Sequence, residues 1–395
     1  MQRRSLGAEH EETLVTANLL GGLLERSGEY GEAGALFQET YLRRRRTLGD
    51  EHELTLQSMS NLASLLTQTG QYDDAAPLHR QALDIRRREL GEDHEHTLVS
   101  KNNLAVLLQL TGRPEGAAQL LEEVLEGQRR AGGEEDEATL VTMANLAILK
   151  QALGRHQEAE ELLRALIRVR RRGLGSEHPD TLTSMHDLAF LLSQTSRSAE
   201  SERLCRRVLD ARRRTLGHEH EQTLLSAIHL AKLLEDKSHF DEAEALFSEV
   251  VVARRRALGE QHEATLLGMN YLSALLARMD RKDEAELLYR KILTIRQQTL
   301  GETHPHTLRT MVSLGHFRAS QGETQEAAGN WAQASSAYRE AAALCAPKYG
   351  ESAPFIKRLR EAADRLAETR CMQNMAGSGT RSGVAKSIDK RLDDI

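Results

Sequence analysis

The Leu-Gly pair falls at Leu6, Leu48, Leu90, Leu174, Leu216, Leu258 and Leu300, so every interval is 42 residues or, where one copy is skipped, 84. The Thr-Leu pair keeps the same register without a gap, at Thr13, Thr55, Thr97, Thr139, Thr181, Thr223, Thr265 and Thr307. Eight copies with no insertion or deletion constrain the fold more than any other feature. A period of a few tens of residues, held this strictly, marks one supersecondary unit stacked on itself, because a lone unit cannot bury its own apolar face.

Each unit reads as helix, turn, helix. From Thr55, the stretch LQSMSNLASLLTQTG places Leu56, Met59, Leu62, Ala63, Leu65 and Leu66 on one face at three- and four-residue spacing, and Gly70 ends the run. The stretch QYDDAAPLHRQALDIRRREL then turns Tyr72, Ala75, Leu78, Ala82, Leu83 and Ile85 inward. The Leu of the first helix is invariant from Leu20 to Leu314 and is always followed by a small residue: Gly21, Ala63, Ala105, Ala147, Ala189, Ala231, Ser273, Gly315. A matching small residue recurs in the second helix, from Ala33 to Ala327. Small residues at facing positions let two helix axes approach to the lower end of the usual ~8–10 Å. The expected fold class is all-α, a right-handed α-solenoid of tandem helix-turn-helix repeats.

The spacing of Leu62-Ala63, Gly70, Tyr72, Ala75 and Ala82 resembles a tetratricopeptide repeat. The 42-residue length, the Asn-Leu-Ala triplet and the Arg-rich end before Leu-Gly are similar to the variant found in kinesin light chains. KNNLAVLLQLTGRPEGAAQLLEEVLEGQRR, at 101–130, is among the clearer copies, and the resemblance covers roughly residues 3–345. It implies a protein-protein interaction array that takes an extended peptide segment of a partner in a concave groove. By analogy the partner could be a motor complex, although the heptad coiled coil that precedes kinesin light chain repeats does not appear here.

Composition narrows the function classes. Hydrophobic residues make up 39% and aromatics 4%, lean for a compact core but suited to a helical array of Leu and Ala. A net charge of -6 argues against a dedicated nucleic-acid binder. Three cysteines, an odd and scattered set, point away from a disulfide framework and toward a reducing, cytoplasmic setting. The start MQRRSLGAEHEE has no apolar core, and no run approaches the ~20 apolar residues of a membrane span. No GxGxxG, no GxxxxGK[ST] and no nucleophile-base pattern stands out, so neither catalysis nor a cofactor is expected. Cys205 lies among arginines in LCRRVL, a setting that can lower a thiol pKa, but a single such Cys reads as an ordinary helix residue.

LGDEHELTL and its copies put His10, His52, His94, His178, His220, His262 and His304 among carboxylates, with Asp136 in the remaining copy. Metal ligands must sit about 2 Å from a shared ion, whereas equivalent helices of adjacent repeats are roughly 10 Å apart. Pro179 and Pro305 follow their histidines directly, as at a first helical position. The boxes therefore read as helix starts, not metal sites. The arginine runs, such as Arg43 to Arg46 and Arg86 to Arg88, close second helices. They read as solvated ends neutralised by neighbouring acids such as Asp50 and Glu51.

Three first helices carry Asn directly before Leu-Ala: Asn61, Asn103 and Asn145. By the resemblance these bind the backbone of an extended peptide, since an amide offers both donor and acceptor. The alternative is an Asn bonded to a neighbouring helix. Leu19, Asp187, His229 and Tyr271 stand at this place in other copies, which centres the site on residues ~57–150. Gln57, Ser60, Ser64, Asn102 and Gln151 are neighbouring candidates, and Val106 with Ile148 would form an apolar pocket.

Residues 1–12 read as the end of a repeat whose start is absent, 13–350 as eight repeats, 351–370 as a capping helix and 371–395 as a disordered tail. Gly322 to Gly350 spans 28 residues where earlier copies span 21, and the seven extra are expected to lengthen the second helix of the last pair. Gly132-Gly133, in the copy lacking the histidine, is the expected flexible joint. The favoured function is a non-catalytic scaffold or adaptor. The rival is the regulatory array of a larger enzyme or NTPase whose catalytic domain lies outside this chain.

Overall fold

In the computed structural model residues 7–328 and 330–377 are described, and among them every regular element is a helix. The chain divides into two compact units, Met1–Ala211 and Arg212–Ile395. Among the described residues no helix is long and apolar enough to cross a membrane.

The first unit starts with α1 (Glu11–Ser27) and α2 (Tyr30–Leu48), followed by α3 (Glu53–Gln68) and α4 (Tyr72–Leu90). The next pairs are α5 (Glu95–Leu110) with α6 (Pro114–Gly132), and α7 (Glu137–Ala152) with α8 (His156–Leu174). α9 (Pro179–Ser193) and α10 (Ser198–Leu216) complete the series, α10 running across the unit boundary. The second unit continues with α11 (Glu221–Asp236), α12 (Phe240–Leu258), α13 (Glu263–Arg278) and α14 (Lys282–Leu300). It ends with α15 (Pro305–Ala327), α16 (Trp331–Tyr349) and α17 (Pro354–Gly377). Each unit is a stack of helical repeats. The tail expected from 371 lies outside the described residues beyond Gly377.

Helix starts are set by the histidine boxes. His52 has extended backbone angles, and its Nδ1 accepts from the Leu54 amide at 3.2 Å. His10, His94, His178, His220, His262 and His304 each do the same two residues on, at 3.2–3.3 Å. Where the histidine is missing, the Asp136 carboxylate accepts from the Thr139 amide at 3.2 Å. The helix N-terminus thus gains an acceptor for one of its orphan amides in every copy. Second helices end on a left-handed glycine. Gly49 at φ 92° and Gly133 at φ 85° are equivalent, so the join after α6 has the geometry of the other joins.

Within each unit the core runs from pair to pair because first and second helices share clusters. Ala33, Phe37 and Tyr41 of α2 pack with Leu56, Met59 and Leu62 of α3 and with Ala82 of α4. Farther on, Leu163 and Ile167 of α8 join Leu182, Met185 and Leu188 of α9 and Val208 of α10. The small residues explain the close approach. A Cβ on Gly21 would lie 2.7 Å from the Phe37 ring, and one on Gly315 would collide with Cys345 Sγ. Leu20, expected in the core, is 47% exposed, and Leu19 and Leu23 beside it are exposed too. No described helix covers that side of α1.

Two further expectations are corrected. The seven extra residues lengthen the first helix of the last pair, not the second: α15 has 23 residues, while α16 keeps the usual 19. Gly322 does not end its helix. It is buried in α15, and a Cβ there would sit 2.8 Å from the Tyr338 ring of α16. The large ring takes the room that a side chain would occupy.

Candidate functional site

The arginine runs are not simply solvated. At one fixed place in the repeat, that of Arg44, Arg86, Arg212, Arg254 and Arg296, the arginine is buried and bonds across to a neighbouring helix. Arg44, 1% exposed, reaches Glu11 of α1 at 2.5 Å, the Leu54 carbonyl of α3 at 3.2 Å and Ser58 Oγ at 2.9 Å. Arg86 joins Glu53 of α3 at 2.6 Å to Ser100 of α5 at 2.8 Å. In the second unit Arg212, Arg254 and Arg296 are likewise buried. Arg296 meets Glu263 at 2.5 Å and Thr310 Oγ1 at 2.5 Å. Burial raises the Glu53 pKa, but Arg86 and His96 outweigh it and hold the carboxyl below its ordinary value. A buried guanidinium with several partners is a recurring structural staple. Only the outer arginines form exposed pairs, such as Arg130 with Asp93 at 2.6 Å, and pairs of that kind add little stability.

One staple is missing. Gln128 stands where Arg44 and Arg86 stand in other copies, and its Oε1 is buried without a partner among the described residues. Beside it a groove of about 530 Å³ opens between α5 and α7. Its lining includes Val99, Asn102, Gln128, Val141 and Asn145. A shorter, neutral side chain in the staple position leaves space that a guanidinium would fill.

The candidate amides differ from one another. Asn61 donates from Nδ2 to Asn18 Oδ1 at 3.1 Å, so it is already used by the neighbouring helix α1. Asn102 and Asn103 are half-buried and Asn145 is exposed, and none of the three has a hydrogen-bond partner among the described residues. Val106 and Ile148, one turn on, are 44% and 55% exposed. Ser60 is no groove residue, because it is buried and accepts from Arg86 Nη1 at 3.3 Å. Gln57 is exposed and Ser64 half-buried, while Gln151 donates to Gln194 Oε1 at 3.0 Å.

The sequence reading missed Val99, Val141, Leu110 and Phe190, all on first helices and all 47% exposed or more. The signal was present, since Val99 and Val141 are one period apart and Phe190 follows Ile148 by one period. In the second unit the equivalent of the Asn, His229, is buried, and its pKa is pushed down to about 4 by burial and then by Lys232. Cys205 is buried, and burial pushes its pKa up to about 12 against the hydrogen bond with Ser201.

Tetratricopeptide repeat models match residues 12–88, 60–130, 95–172, 137–204 and 189–255, and another matches 265–306. The chain is a tetratricopeptide repeat protein. No curated protein matches it significantly. Among solved structures it is similar to the nearly identical TPR-like repeats of a Podosopora anserina protein described as a kinesin light chain. That match has 31% identity over 53% of this chain and 99% of the other, with a TM-score of 0.48. BtubC (BKLC) from P. vanneervenii is 23% identical over 55% of this chain and 87% of its own, with a TM-score of 0.49. The apo form of RapI shares the fold at 7% identity, covering 91% of this chain and 98% of its own with a TM-score of 0.58. Tetratricopeptide repeats thus account for the 42-residue unit, and such a repeat array suits protein-protein interaction.

Proposed function

We propose that this chain is a non-catalytic scaffold that holds an extended segment of a protein partner across the first helices α3, α5 and α7. The observation that carries the reading is the pair of unpartnered amides, Asn103 and Asn145, on adjacent repeats. Each can donate to and accept from one peptide unit of an extended strand. Val106 and Ile148 beside them supply apolar contact for alternate side chains, and the groove lined by Val99, Val141 and Asn102 extends the surface. Glu95 and Asp136 border that groove, which favours a basic residue in the partner at this end. The kinesin light chain-like repeats suggest an adaptor that links cargo to a larger assembly, a motor complex included. The buried thiols Cys205 and Cys345, outside any disulfide, suit a reducing, cytoplasmic setting.

A photo-crosslinking residue at Ile148 in the full chain is expected to capture a partner from lysate. The same residue at Val252, exposed on a second helix, serves as the control. The double variant N103S/N145S should abolish the Ile148 adduct while leaving circular dichroism unchanged. An undiminished adduct in that variant would show that the amides do not hold the partner.

A further inference from the structure

A second groove, of about 700 Å³, lies on the opposite set of helices, between α8 and α10. Five guanidinium groups line it: Arg164, Arg168, Arg171, Arg203 and Arg207. Its apolar floor is made by Ile167, Met185, Leu188 and Leu204. Two carboxylates also line it, and both are engaged. Glu200 accepts from Arg164 at 2.7 Å and also from Arg197, and Glu161 accepts from Gln157 Nε2 at 3.2 Å. Arg168, Arg203 and Arg207 have neither a hydrogen bond nor an ion pair among the described residues. Arg171 reaches only the Met185 sulfur, at 3.4 Å.

The repeat register shows how unusual this is. Arg45, Arg87, Arg129 and Arg255 each pair with an acid five residues on: Asp50, Glu92, Glu134 and Glu260. Arg213 instead uses Glu249, 36 residues on. For Arg171 those two places hold Ser176 and Arg207. One repeat earlier, the corresponding groove between α6 and α8 presents Glu122, Glu126, Glu161 and Ala165. In the α8–α10 groove the same framework positions are Arg164, Arg168, Arg203 and Arg207. Three positions are inverted from Glu to Arg, and a fourth changes from neutral to basic. In a chain whose net charge is -6, this concentrates uncompensated positive charge over an apolar floor. Like charges held together cost free energy unless an anion relieves them.

We propose that the α8–α10 groove is a docking site for an acidic peptide segment, distinct from the first-helix face. Its carboxylates pair with Arg168, Arg171, Arg203 and Arg207, and an apolar side chain between them rests on Ile167, Met185, Leu188 and Leu204. Arginine suits the task because its planar fork grips carboxylates two bonds at a time. The apolar floor is what favours a peptide over a simple polyanion.

The test uses the full chain and a fluorescent peptide probe of about ten residues, glutamates and aspartates flanking a single leucine. Fluorescence anisotropy is expected to show saturable binding that weakens as salt screens the charges. Binding should fall at least roughly tenfold in R203Q/R207Q, and also for a probe with leucine replaced by serine. N103S/N145S should leave it unchanged, which separates this site from the groove on the first helices. The proposal is overturned by no saturation up to ~1 mM, or by equal affinity in R203Q/R207Q with native circular dichroism. It is also overturned if heparin competes at full strength while the leucine makes no difference, the sign of a generic polyanion surface. A sedimentation series in which R203Q/R207Q dissolves a concentration-dependent dimer, with no peptide binding, would assign the face to self-association instead.

Discussion

His79 sits in α4, buried, with its Nε2 3.1 Å from Thr67 Oγ1. Burial pushes its pKa down to about 4, against a hydrogen bond to the Ala63 backbone carbonyl that pulls it up. The folded chain therefore holds it neutral, while the unfolded chain titrates near 6.5. Stability from this residue is complete above the unfolded value and is lost as pH falls from there toward about 4. His229 follows the same course. Urea unfolding at pH 5 should show a loss of about 2 kcal/mol per histidine relative to pH 7. H79Q should flatten that dependence. A second expectation concerns Ser238, which holds a left-handed φ of 62° at the place where Gly70 and Gly112 turn other repeats. A side chain in that region costs about 1 kcal/mol, so Ser238→Gly should raise the midpoint of thermal unfolding.

Among helices and their joins, the staple decides. Arg86→Met would remove the guanidinium that meets the Glu53 carboxylate at 2.6 Å and the Ser100 hydroxyl at 2.8 Å, leaving Glu53 to His96 alone. Losing charge-assisted hydrogen bonds of this kind costs about 2 kcal/mol, readable by denaturant titration. The reverse change, Gln128→Arg, would give Glu95 and Thr142 the partner that their counterparts have, and should stabilise by about 1 kcal/mol. At the other end, Gly322→Val would force the Tyr338 ring aside and destabilise by about 2 kcal/mol. The helices themselves were readable because their signals are local: a capping His, an apolar face, a terminal Gly. The staple was not readable as such. An arginine in a helix-ending run has the same local sequence whether it faces water or a cavity between three helices. Only the partners at 33 residues before and 14 after Arg44, Glu11 and Ser58, tell Arg44 from its exposed neighbour Arg45. The lengthened helix was misplaced for a related reason. Gly322 looks like a terminator until the ring that fills its missing side chain is seen.

Within each unit, stability is a sum over joins, since each helix pair contacts chiefly its neighbours. Arg254→Met should lower amide hydrogen-exchange protection in α12 and α13 while leaving α3 and α4 unchanged. A uniform loss would show long-range cooperativity instead. For the candidate site, the Asn-Leu-Ala triplets identified the face, but not which amides are available. Asn61 and Asn103 have the same sequence context, and only the presence of Asn18 opposite the first distinguishes them. The α8–α10 arginines were equally visible as letters. Their isolation became apparent once the helices showed which acids failed to arrive.

The staple has one more consequence, for how a gene of this kind can change length. Arg44, Arg86 and Arg296 each reach back 33 residues into their own pair and forward 14 into the next. Removing or inserting one full period keeps those offsets across the new join. A loss of one residue more or less would misalign them all across that join. Unequal recombination between copies is therefore filtered by the protein itself: lengths that are whole multiples of the unit survive folding, and the others do not.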